Sequence, residues 1–158
     1  MKNKKGFTLI ELLVVVAIMG LLAALAVVAL NTARARARDA RRVSDIKQIQ
    51  TALELYYMDN YKYPVDPTNN LIEGLCLSSG SHFAAQPCTG TTYMGQVPKS
   101  PEPRTDGGCT NTVYTYNATD VGATGTDLSY YIIYCLGHAT GDIAARTHYG
   151  TPAGIADP

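Results

Sequence analysis

The sequence predicts an α+β chain in which a long N-terminal α-helix, apolar in its first half, packs in its second half on a small antiparallel β-sheet. Three observations lead to this reading. Residues 7–30, FTLIELLVVVAIMGLLAALAVVAL, are an apolar run with one charge, Glu11. Helix-forming residues continue past it, and no proline occurs before Pro64. Beyond Met58 the texture changes to turn residues and then to short tyrosine-rich runs with strand character. At 158 residues there is room for one domain and an appendage, which excludes a large multidomain enzyme. The formal net charge of zero conceals three unlike blocks: +2 over residues 1–33, +4 over 34–47 and −6 over 48–158. Such segregation places the parts of the chain in different surroundings.

The apolar run comes first. As a helix it spans about 36 Å, at roughly 1.5 Å per residue, against a hydrocarbon core of about 30 Å. A helix without a polar face needs apolar surroundings on every side, and the rest of the chain is too small to supply them. A secretory signal peptide has a shorter apolar region, of about 7–15 residues. Glu11 stands five positions into the run, where an uncompensated charge is costly and calls for a partner. Ala17, Gly20, Ala23, Ala24 and Ala26 are small enough to let neighbouring helix backbones approach closely.

The residues Lys4-Lys5-Gly6-Phe7-Thr8-Leu9-Ile10-Glu11, followed by Leu12-Leu13-Val14-Val15, closely resemble the class III leader of type IV pilins and type II secretion pseudopilins. The resemblance covers about thirty residues. It implies a pilin fold, cleavage by a prepilin peptidase between Gly6 and Phe7, N-methylation of Phe7, and a register role in assembly for Glu11. The implied partners are copies of the chain and related pilins in a filament, the peptidase and methylase, an inner-membrane assembly platform, and membrane lipid before assembly. Chemistry supports the pairing that the family implies. Cleavage creates an ammonium at the end of an apolar helix, and in an apolar setting that ammonium and the Glu11 carboxylate each need the other. A pair formed between subunits fixes an axial register, because insertion out of register leaves one charge unpaired.

The helix is expected to run from Phe7 to about Met58. In ARARARDARR, residues 33–42, Asp39 is spaced to pair with Arg36 or Arg42, and Arg38, Arg41 and Arg42 with Asp45. Val43, Ile46, Ile49, Leu53, Tyr56 and Tyr57 mark one buried face. The arginine run is read as a solvated face, with phospholipid headgroups before assembly and acidic heads afterwards as its counter-charges. Nucleic acid is not an expected partner. Five arginines follow the apolar run and three lysines precede it, so the positive-inside count alone leaves residues 59–158 in the cytoplasm. The cysteines and the leader resemblance outweigh that count and place the head outside.

The organisation read from these features is a leader over 1–6, a transmembrane and assembly helix over 7–30, an amphipathic continuation over 31–58, and an extracytoplasmic head over 59–158. Within the head, residues 64–111 read as a long loop with a short helix around Leu71–Leu77. Three strands follow at Thr112–Asn117, Leu128–Leu136 and Ile143–Tyr149, the second central and the third half exposed through Ile143, Ala145, Thr147 and Tyr149. Leu, Ile, Val and Phe number only 15 among residues 59–158, below about one fifth, so the head needs the helix face, its nine tyrosines and covalent staples. Cys76, Cys88, Cys109 and Cys135 supply the staples in an oxidising compartment. Four cysteines allow three pairings, of which Cys76–Cys88 with Cys109–Cys135 is preferred.

Catalytic chemistry is thin. The four cysteines lack any CxxC knuckle, which argues against zinc. His82, His138 and His148 read as surface histidines with no nucleophile beside them. The segments 120–127 and 137–142 read as turns rather than calcium loops, and Asn117-Ala118-Thr119 is a short glycosylation-like match. No metal, cofactor or catalytic residue is expected. The function expected is structural: a subunit of a type IV pilus-like filament, with a type II secretion major pseudopilin or a monomeric membrane-anchored binding module as alternatives.

Overall fold

The computed structural model describes residues 6–65, 70–104, 107–110, 113–119 and 129–156. One helix, α1 (Leu9–Asn60), precedes seven strands: β1 (Cys76–Ser78), β2 (His82–Ala84), β3 (Thr92–Met94), β4 (Thr115–Thr119), β5 (Ser129–Cys135), β6 (Thr147–Thr151) and β7 (Gly154–Ala156). The chain divides into two compact units, Met1–Ala35 and Arg36–Pro158.

The described part of the first unit is the apolar stretch of α1 and its cap. Every large hydrophobic side chain from Phe7 to Leu30 is exposed, on a segment with no polar face. The helix is long and apolar enough to cross a membrane.

The second unit is built on the rest of α1. Val43, Ile46, Ile49, Ala52, Leu53 and Tyr56 recur at helical spacing and are all buried, forming one core with Ile72, Leu77, Phe83, Val97, Tyr114, Tyr116, Tyr130, Ile132, Tyr134 and Leu136. The larger sheet is antiparallel in the order β4-β5-β6-β7. β5 is interior to it, and its Tyr130, Ile132 and Tyr134 point into the core while Tyr131 and Ile133 are half-buried on the other face. In register, Tyr116 faces Ile132 and Ile132 faces Gly150. Gly150 is required there: a Cβ at this position would lie 2.9 Å from Cγ2 of Ile46 on the helix. Gln50 fixes the β6–β7 turn by donating to the carbonyls of Thr151 (2.8 Å) and Gly154 (3.2 Å).

The structure corrects three local expectations. Residues 64–111 contain a second antiparallel sheet, β2-β1-β3, and the expected helix at Leu71–Leu77 is replaced by a bridge at Leu71, a turn and the start of β1. Strands of three residues are too short to reveal a period of two, and the Ser, Gly, Thr and Pro between them read as loop. The third predicted strand is displaced to Thr147–Thr151, with Ile143 in an isolated bridge to Thr140, and its inward residues are His148 and Gly150. β7 was not expected; it is a three-residue edge strand made of Gly154, Ile155 and Ala156. Thr112 and Leu128, the first residues of the other two predicted strands, lie outside the described residues, as does the 120–127 segment.

Candidate assembly site

Gly6 and Phe7 are exposed at the start of the described residues, and a Cβ on Gly6 would meet nothing within 4 Å. Helix α1 begins directly afterwards, and the residues that start it are those of the leader. The backbone N–H of Thr8 donates to Oε2 of Glu11 (2.9 Å), and the backbone N–H of Glu11 donates to Oγ1 of Thr8 (3.3 Å). The Thr8 hydroxyl also donates to the same carboxylate oxygen (2.6 Å). This is a reciprocal capping box: it satisfies two of the four backbone donors that every helix start leaves open. The T-x-x-E spacing of Thr8 and Glu11 is the sequence signature of this box, beside the charge that Glu11 carries.

The box also aims the carboxylate. Phe7, Ile10, Glu11, Val14 and Val15 line one side of the helix, so the only acid of the apolar stretch lies among large exposed aliphatic side chains. In apolar surroundings a carboxylate is costly unless a cation pairs with it.

The second unit holds the other charged cluster, and here the reading of the arginine run as a solvated face holds for Arg36 and Arg41 and is corrected for Arg42, which is buried. Asp39 and Arg42 form an ion pair (2.5 Å) with both side chains fully buried. Arg42 further donates from Nη2 to the carbonyls of Pro101 (3.2 Å) and Pro103 (3.1 Å) and from Nε towards Oγ of Ser100 (3.4 Å). Asp39 accepts from the backbone N–H of Gly137 (3.1 Å) and His138 (2.8 Å) and contacts Nδ1 of His138 (3.1 Å). One helical turn thereby ties the 100–103 loop and the β5–β6 connection to α1. Glu73 makes a second node, accepting from the backbone of Ser100 (3.0 Å) and Tyr114 (3.1 Å) and from Arg104 (3.1 Å). Asp45 accepts from the Tyr114 hydroxyl (3.0 Å); burial pushes its carboxyl above the usual range, a rise opposed by that hydrogen bond and by Arg41.

The histidines are not a surface set. His148 is buried, with Nε2 bonded to the Ala144 carbonyl (2.7 Å), and Nδ1 of His82 shares a hydrogen bond with the Tyr56 hydroxyl (2.6 Å). The cysteines pair as Cys76–Cys88, across the smaller sheet, and Cys109–Cys135, onto β5. Among the described residues no group of His, Cys, Asp and Glu is arranged to hold a metal ion.

Comparison with known proteins places this arrangement. Residues 1–27 match the family model described as the prokaryotic N-terminal methylation motif. Relatives include type II secretion system core protein G of Escherichia coli (strain K12), 42% identical over 73 residues, which are 46% of this chain and 49% of that protein. The protein of the same name from Klebsiella michiganensis is 33% identical over 63% of this chain and 69% of its own length. The chain belongs to the pilin and pseudopilin family. A third such relative, from Vibrio cholerae, is 34% identical over 64% of this chain and 67% of its own. The chain thus spans about half of the first of these relatives and about two thirds of the others. No solved structure matches it. The relatives are by name core proteins of type II secretion systems.

Proposed function

We propose that this chain is a structural subunit of a filament of the type II secretion kind. It is inserted in the inner membrane through residues 7–30, with its head on the periplasmic side. A prepilin peptidase cuts between Gly6 and Phe7, Phe7 is N-methylated, and the subunit joins copies of itself and related pseudopilins at an inner-membrane platform. The methylation motif over residues 1–27 and the names of the relatives support this reading. A monomeric anchor gains only a helix cap from Glu11, whereas a filament subunit also gains a partner for the ammonium of its neighbour.

The observation that carries the proposal is Glu11, held by Thr8 among exposed aliphatic side chains. Once Phe7 is the first residue, its ammonium is a second charge at the end of the same apolar helix. The pairing that satisfies both charges between subunits also sets the step from one subunit to the next. The cap has a part in this: with its carboxylate oriented by two Thr8 donors, Glu11 meets an incoming ammonium without first searching rotamers.

Two measurements test this. Intact-mass analysis of protein from its host should show loss of residues 1–6 and one added methyl group on Phe7; an uncleaved mature species refutes the processing. Glu11→Val should insert into membrane at least as well as the parent chain and yet fail to form filaments. Normal assembly by this variant refutes the register mechanism.

A further inference from the structure

The arginines that follow the apolar stretch divide into two kinds in the structure. Arg42 is an internal cation, spent on Asp39, Ser100 and two carbonyls. Arg38 is half-buried. Arg34, in the first unit, and Arg36 and Arg41, in the second, are exposed. We propose that Arg34, Arg36 and Arg41 bind the phosphate headgroups of anionic phospholipid on the membrane face from which the head emerges, holding the subunit there before assembly. The inference rests on the anchor reading of residues 7–30.

Three observations favour lipid over an acidic protein partner. Arg34 and Arg36 stand four and six residues beyond Leu30, the last residue of the apolar stretch, so by chain distance they fall where the headgroup layer begins. The acid nearest to them in sequence, Asp39, is committed to Arg42, Gly137 and His138 rather than to Arg34 or Arg36, while Arg41 lies within electrostatic reach of the buried Asp45. Of the described acids that a neighbouring head would offer, four are engaged at home: Glu54 accepts from Tyr63, Asp59 from Tyr93, Glu73 from Arg104 and two backbone donors, and Glu102 pairs with Arg104, which leaves the exposed Asp142. Guanidinium suits the role because its planar fork meets two phosphate oxygens at once. The same reading removes a tension in the topology. Arginines on the exported side oppose the positive-inside tendency, and headgroup binding stabilises them once they arrive.

The full chain is reconstituted in phosphatidylcholine vesicles containing a minor fraction of phosphatidylglycerol. Its preference for spin-labelled phosphatidylglycerol over spin-labelled phosphatidylcholine is then read by electron paramagnetic resonance. Arg34→Gln/Arg36→Gln/Arg41→Gln should reduce the preference by at least about threefold, since a basic residue near an anionic surface is worth on the order of 1 kcal/mol, or roughly fivefold. Lys62→Gln, an exposed cation of the head, should leave it unchanged. Lys2, Lys4 and Lys5 are common to all the chains, so the comparison cancels them. An unchanged preference in the triple variant overturns the proposal; if that variant also fails to assemble, the partner of the arginines is protein. An equal loss in Lys62→Gln overturns it as well, by showing that any cation suffices. A parent chain that an alkaline wash strips from the vesicles refutes the anchor reading itself, whereas an anchored parent chain with no headgroup preference refutes this inference alone.

Discussion

Replacing Asp39 by alanine is the most informative single change in the second unit. Its side chain and that of Arg42 are fully buried, and removal of one member of such a pair strands the other as an uncompensated charge, at about 3–5 kcal/mol. The amides of Gly137 and His138 lose their acceptor at the same time, each a further cost of about 1–3 kcal/mol unless water enters to replace it. The charge dominates, so the total should be no less than about 3–5 kcal/mol. For a folded unit of this size that corresponds to a melting temperature lowered by about 10–20 °C. The assay is thermal unfolding of the full chain in detergent, followed by near-ultraviolet circular dichroism of the tyrosines with both disulfides intact. Asp39→Leu combined with Arg42→Leu should be less damaging than Asp39→Ala alone, because apolar replacement of both partners leaves no buried charge. A fall of less than about 4 °C for Asp39→Ala, or costs that simply add in the double variant, would refute the reasoning.

Three further outcomes are expected. Gly150→Ala drives a methyl group against Cγ2 of Ile46, 2.9 Å away, and should cost about 1–3 kcal/mol in urea unfolding, with part of the loss recovered in an Ile46→Leu background, which removes that β-branch methyl; full stability in Gly150→Ala would contradict the packing. Cys135→Ser opens the bridge to Cys109 on the interior strand and should lower stability by about 2–4 kcal/mol, an effect that vanishes when both proteins are compared under reducing conditions. Asp45→Asn tests the sign of a titration. A carboxyl raised on folding contributes stability that is complete below its ordinary value of 3.8 and is lost as the pH climbs through its folded value, so the parent chain should weaken relative to the variant as the pH rises above 3.8. The amide oxygen still accepts from Tyr114, so a difference that does not vary with pH would count against burial as the cause.

Much of this molecule is legible because its strongest signals are long. The apolar run, the helical spacing of Val43, Ile46, Ile49, Leu53 and Tyr56, and the apolar character of β5 each extend over enough residues to declare a period. What could not be read lies in features that depend on partners distant in sequence. Asp39 and Arg42 look like their solvated neighbours until a loop 58–64 residues away and the connection after β5 close over them. The small sheet is held by Cys76–Cys88 and by pairings such as Leu77 with Phe83, none of which announces itself in three-residue strands. Glu11 was legible by residue type, but half of what it does in the structure depends on Thr8, whose place as a helix cap is fixed only by where the helix begins.

The tyrosine core has a consequence in base. Tyr63, Tyr114 and Tyr130 are buried, and their hydroxyls are held above the ordinary 10.0, first by burial and then by the neighbouring Glu54 or Asp45. An unfolded chain releases these protons as soon as the pH passes that value, while the folded chain cannot, so each step upward favours unfolding. A head with few aliphatic side chains has exchanged greasy filler for phenol and should therefore dissolve its own interior in alkali, well before the disulfides fail. The phenolate absorbance contributed by the buried tyrosines should then rise in one cooperative step, together with loss of fold, and the sequence contains no tryptophan to obscure it.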